Sequence, residues 1–161
     1  MDFQERLIKA SERGQRTRDS KAREKAEVAL SEEAFKRLYS KYRLALSEHI
    51  ENCLQQMADH ILGFQFETVV GDRGWGATVS RDDVGRGAGR KRDNFFSRLE
   101  MVVSPYGPYH VLELVAKGTI RNKEIYSRNH YQLLADIDIE SFTEFVDLWV
   151  LEYAELFAAR G

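Results

Sequence analysis

The hydrophobic pattern of this chain changes period twice, and that pair of switches limits the fold more than any other feature. From Phe35 to Ile61 the apolar residues recur at steps of three and four: Phe35, Leu38, Tyr42, Leu46, Ile50, Leu54, Met57, Ile61. Such spacing places one apolar stripe along an α-helix. After Phe64 the step becomes two, as in Phe64-Gln65-Phe66-Glu67-Thr68-Val69-Val70, which suits a half-buried β-strand. Beyond Asp138 the helical step returns through Phe142, Phe145, Val146, Trp149, Tyr153 and Phe157. Helix, strands and helix in that order predict an α+β fold. A long amphipathic helix is followed by an antiparallel meander of about five strands and a closing amphipathic helix, both helices lying on one face of the sheet.

Punctuation sharpens the boundaries. Ser31 is the expected N-cap of the first helix, with Glu32 and Glu33 complementing the positive end of its dipole, although nothing excludes a start at Ser20. Gly63 falls where a helix C-cap belongs. Gly71-Asp72-Arg73-Gly74 is the turn of a hairpin whose return strand covers 75–81. A glycine-rich basic loop is expected over 83–93 and a third strand over 94–104. The turn Pro105-Tyr106-Gly107-Pro108 leads to a fourth strand over 109–119, and Asn122-Lys123 to a shorter fifth over 124–129. The last helix is expected from Ile139 to about Ala159. The core face of the sheet should carry Phe64, Phe66, Val70, Trp75, Ala77, Val79, Leu99, Met101, Val103, Leu112, Leu114 and Ile125. Glu67, Arg98, Glu100, Glu113, Lys117 and Arg128 belong to a solvated face.

Residues 1–30 differ from the rest. They are rich in helix formers, but between 9 and 27 their only apolar residues are alanines, so they have little to bury. They read as a polar, basic arm, helical but frayed or disordered until it meets a partner, preceding a single α+β domain over 31–161. Charge is uneven: residues 1–43 hold twelve Lys/Arg against eight Asp/Glu, while residues 135–161 hold seven acids and one base. The net charge is only −2. A sequence pI near 6 argues against a dedicated nucleic-acid binder.

One cysteine, Cys53, cannot form an internal disulfide, and no signal-like or membrane-length apolar run is present. A cytoplasmic location is the expectation, with no membrane partner.

No catalytic signature emerges. Gly85-Arg86-Gly87-Ala88-Gly89-Arg90-Lys91-Arg92 has glycines and cations suited to an anion, yet no Ser/Thr follows the Lys and no helix follows the loop, so it is not a P-loop. It reads first as a solvated hairpin tip. Arg86, Arg90, Lys91 and Arg92 are the residues that would touch nucleic acid. His49 and Cys53 stand four apart on the first helix, a metal-compatible spacing. A site needs three or four convergent donors, so they read as a core histidine and a buried thiol, and no metal or other cofactor is expected. An enzymatic alternative would use His110, His130 and Glu124 in a pocket between sheet and helices. Alternation puts Glu113, Glu124 and Arg128 where a plain charge ladder would also place them.

Size supplies the functional expectation. A helix of about 30 residues is about 45 Å long, whereas five strands span only about 24 Å. The overhanging stripe of Phe35, Leu38, Tyr39 and Tyr42 then needs a cover, most simply a second copy of the chain. The expected function is a non-enzymatic protein-binding or assembly module acting as a homodimer. A nucleic-acid-associated protein is the alternative, through the basic loop 85–92 and the arm.

Overall fold

The computed structural model describes residues 2–86 and 92–160, apart from the side chains of residues 26–30, 85–86 and 92–93. The elements run α1 (Phe3–His60), β1 (Gln65–Gly71), β2 (Gly74–Arg86), β3 (Arg92–Val103), β4 (Val111–Ile120), β5 (Lys123–Leu133), a 3₁₀ turn (Leu134–Asp136) and α2 (Ile139–Arg160). The five strands form one antiparallel sheet in sequence order, so the α+β meander is as expected. The chain falls into two compact units, Met1–Arg37 and Leu38–Gly161.

In the first unit the backbone is already helical at Phe3, so Ser31 does not open a helix. A cap matters only where N–H groups lack partners, and the Ala, Arg, Lys and Glu upstream of Ser31 keep every turn bonded. The apolar trio Phe3, Leu7 and Ile8 is exposed.

In the second unit the C-terminal stretch of α1 buries Tyr39, Leu46, Ile50, Leu54 and Met57, and α2 buries Phe142, Val146, Trp149, Val150, Tyr153 and Phe157. Both meet the same sheet face, whose centre is Ala77, Val79, Leu99, Met101, Val103, Leu112, Leu114 and Ala116, all fully buried. Burying a large apolar side chain stabilises by about 1.5–3 kcal/mol, so this face is where folding gains most. Gly118 lies in the same layer. A Cβ there would come within 3.2 Å of the Tyr153 ring, whose hydroxyl donates to the Thr119 carbonyl at 2.7 Å. Phe64 packs edge-on against Phe157 and Tyr153, and Tyr126 donates its hydroxyl hydrogen to the Trp149 carbonyl across the layers.

Register departs from the sequence reading in three places. β2 and β3 stay paired out to Arg86 opposite Arg92, so the expected loop over 83–93 is mostly hairpin. Ladder bonds belong to the backbone and continue through glycine and arginine alike. The β4–β5 turn is Arg121-Asn122, both with positive φ, one residue earlier than expected. Two successive left-handed residues make the primed hairpin turn that matches strand twist, and Asn122 holds it by accepting the Phe96 N–H and donating to the Asn94 carbonyl. A bulge at Gly118/Thr119 then shifts β5, which continues to Leu133.

The bulge moves side chains between faces. Tyr126, Arg128, His130 and Gln132 pair with Gly118, Ala116, Leu114 and Leu112, so Arg128 sits on the helix-covered face instead of the solvated one. There it makes a two-pronged ion pair with Glu152 of α2. Ile125 occupies the bulge and is only half-buried. Val70, expected in the core, is 69% exposed because β1 is an edge strand and its end lies uncovered.

Candidate functional site

Side chains that can do chemistry converge where α1 and α2 run side by side in the second unit. His49 and Cys53 are one turn apart on α1 and face Asp147 of α2. His49 Nε2 lies 2.7 Å from Asp147 Oδ1, Cys53 Sγ 3.3 Å from the same oxygen, and Sγ 3.6 Å from Nε2. The three donor atoms lie within 4.8 Å of one another. Ile50, Leu54, Val146 and Val150 are buried on the same two helices, and the spacing of four puts His49 and Cys53 at the rim.

Burial, then the hydrogen bond to Asp147 and then its charge push the Cys53 thiol up to about 12. It is therefore a neutral S–H donor to a carboxylate at neutral pH, and a poor nucleophile. A nucleophile–base–carboxylate relay needs histidine to face its nucleophile with one ring nitrogen and its carboxylate with the other. Here Nε2 faces both. The geometry is that of three convergent donors and not of a relay.

Beside this trio runs a shallow groove of about 420 Å³ lined by Cys53, Gln56, Met57, His60, Ile61, Asp147, Val150, Leu151 and Ala154. Its walls are mostly apolar. Leu151 is 68% exposed and Leu148, one turn earlier on α2, 56% exposed; Leu44 on α1 is exposed as well. All three leucines are more than half exposed among the described residues.

No family model, curated protein or solved structure compared with this chain matches it. Its chemistry is read from these residues alone.

The other candidates are placed as follows. Arg90 and Lys91 lie outside the described residues; the backbones of Arg86 and Arg92 face each other at the end of the β2–β3 hairpin. Of the expected interface residues, Tyr39 is turned into the chain's own core. It is 6% exposed, donates its hydroxyl hydrogen to the Ser104 carbonyl at 2.7 Å and packs edge-on against Tyr106. Phe35, Leu38 and Tyr42 are half-buried.

His110, His130 and Glu124 do not form a cluster. His110 precedes β4, beside Leu134, whereas Glu124 pairs with Thr119 at the opposite end of that strand. His130 is wedged between Phe142 and Phe145, and burial lowers its pKa. It is a half-buried histidine packed on aromatic rings. On the other sheet face Glu100 accepts from Arg98, two residues earlier on the same strand, at 2.6 Å and from Arg73 of the β1–β2 turn at 3.1 Å, so these ion pairs run along the strand and from the turn instead of across the expected cross-strand rungs.

The residue that sequence reasoning missed is Asp147. Its position between Val146 and Leu148 marks only the wet side of a helix, and nothing local says that His49 and Cys53 stand opposite it.

Proposed function

We propose that this chain is a non-enzymatic protein-binding module that assembles as a homodimer through the outer face of α2. The observation that carries the reading is the pair Leu148 and Leu151, two large apolar side chains more than half exposed on a helix whose other side is fully packed. Leu151 forms one wall of the groove that Met57, Ile61, Val150 and Ala154 line, and Leu148 stands one turn earlier on the same helix, so knob and hollow lie side by side. A two-fold axis through such a patch seats the leucines of each copy in the hollow of the other, an isologous contact that closes. The high pKa of the Cys53 thiol, which makes it a poor nucleophile, supports a role without catalysis. No helix among the described residues is long and apolar enough to cross a membrane. A free thiol held in a hydrogen-bonded cluster suits the reducing cytoplasm.

Light scattering at tens of micromolar tests the assembly. The wild-type chain is expected as a dimer, and the double variant Leu148→Glu, Leu151→Glu as a folded monomer, because both side chains are solvent-facing within one chain. A wild-type chain that stays monomeric removes the proposal; so does a double variant that stays dimeric.

A further inference from the structure

We propose that His49, Cys53 and Asp147 form a three-ligand site for zinc, linking α1 to α2, with one bound water completing the tetrahedron. Zinc takes imidazole nitrogen, thiolate sulfur and carboxylate oxygen in tetrahedral geometry. Metal–ligand lengths of about 2.05, 2.3 and 2.1 Å at tetrahedral angles require donor separations of about 3.6 Å for N···S, about 3.6 Å for S···O and about 3.4 Å for N···O. The corresponding separations here are 3.6, 3.3 and 2.7 Å. Two edges of the tetrahedron already match within a few tenths of an ångström. The third needs the His49 and Asp147 side chains to part by about 0.7 Å, a modest rotamer adjustment for groups whose side chains are 32% and 53% exposed.

The ligands come from two elements. His49 and Cys53 share a helix at the i, i+4 spacing that points both toward one metal, and Asp147 closes the site from across the interface. Cys53 and Asp147 also line the groove, so in a single chain the side of the site away from the core faces solvent, which gives the ion an entry path before a second copy closes over the groove. His60 does not complete the set. Seven residues beyond Cys53 on the same helix, it is about 10 Å further along the axis. On binding, the Cys53 S–H bond breaks, its electron pair forms the S–Zn bond and the proton leaves to solvent, while imidazole and carboxylate bind as neutral and anionic donors. A thiolate with one imidazole is a softer set than magnesium or calcium prefer, and this is why zinc is the expected ion.

The test uses the full chain, stripped of metal by chelation and titrated with Co²⁺ in place of zinc. A tetrahedral Co²⁺ centre with a thiolate gives a sulfur-to-cobalt charge-transfer band in the near ultraviolet together with intense visible d–d bands. Both are expected to saturate at one equivalent and to be bleached by Zn²⁺. Cys53→Ser is expected to abolish the charge-transfer band while retaining native circular dichroism. His49→Gln and Asp147→Asn are each expected to weaken Co²⁺ binding by at least about tenfold, since even losing an outer-shell partner of a metal site costs about 10–100-fold. His60→Gln should leave it unchanged. Absence of the charge-transfer band at excess Co²⁺ overturns the proposal, as does the same band in Cys53→Ser. Unchanged affinity in Asp147→Asn would show that the two helices do not share the ion, and overturns it too.

Discussion

Replacing Gly76 by alanine is expected to damage this sheet through a backbone clash alone, with no change of backbone conformation to confuse the reading. Gly76 sits in β2 between Val69 of β1 and Val102 of β3. A Cβ on it would stand 2.0 Å from the Met101 carbonyl oxygen and 2.8 Å from Val102 Cα. Both are backbone atoms of the neighbouring strand, so no rotamer change relieves the clash. The β2–β3 ladder must open locally. Inserting atoms into a packed site costs about 1–3 kcal/mol, and one ladder hydrogen bond lost or weakened adds about 1 kcal/mol. A total of about 3 kcal/mol corresponds to a fall of about 6–12 °C in the thermal midpoint for a domain of this size. Gly107→Ala is the matched control, because nothing lies within 4 Å of a Cβ there, and it is expected to shift stability by less than about 0.5 kcal/mol. Paired thermal and urea unfolding of the two variants reads the difference. If Gly76→Ala melts within about 2 °C of wild type, the close approach of β2 to β3 at this rung is not that of the protein in solution.

Three further outcomes follow from named contacts. Hydrogen bonds from Arg128, reinforced by its charge and opposed by burial, hold the Glu152 carboxyl below the usual carboxylate range. A depressed folded pKa gives stability that is fully present above the unfolded value of about 4.3 and lost as pH falls through the folded value. Glu152→Gln should therefore cost about 1 kcal/mol at neutral pH, the pair being about one-third exposed, and the gap should close on acidification below about pH 4; urea titrations showing the same gap at pH 3 as at pH 7 would falsify the linkage. In the first unit a Cβ at Gly14 meets nothing within 4 Å, so Gly14→Ala should strengthen the helix by about 1 kcal/mol and slow local amide exchange about fivefold; unchanged exchange there refutes a helical Gly14. Finally, the protein-binding reading expects no retention of a DNA duplex at about 0.15 M salt. Retention that weakens with salt and disappears when Arg86, Arg90, Lys91 and Arg92 are replaced by glutamine moves the function to the hairpin tip.

The parts of the fold that were legible in the sequence are those whose cause is local. The change of period between Ile61 and Phe64 separates helix from strand because side chains repeat every 3.6 residues on one and every two on the other. Gly63 and Gly74 mark bends where the backbone takes positive φ. What misled is the assumption that composition ends an element. Glycine and arginine at 85–86 suggested a loop, yet a strand persists while its neighbour supplies hydrogen bonds. Gly118 and Thr119 gave no sign of a bulge, and that one extra residue carried Arg128 from the solvated face to the face where Glu152 meets it.

The site was illegible for a deeper reason. His49 and Cys53 share a helix face, and their spacing can be read directly; Asp147 lies 94 residues beyond Cys53, and only the lateral register of two packed helices brings it opposite. Both helices bury their apolar stripes in one layer with the sheet face of Leu99, Met101 and Leu114, and the register of that packing is a property of the assembled layer that neither helix carries alone. A one-turn slip of α2 along its axis would move Asp147 about 5.4 Å away and bring Phe142 and Val146 out of register with the sheet. The core therefore holds the donor trio in place. Met101→Ala, a cavity in the fully buried sheet face, should loosen the helix layer and weaken Co²⁺ binding at the trio without touching any of its donors; unchanged Co²⁺ affinity in that variant refutes the dependence.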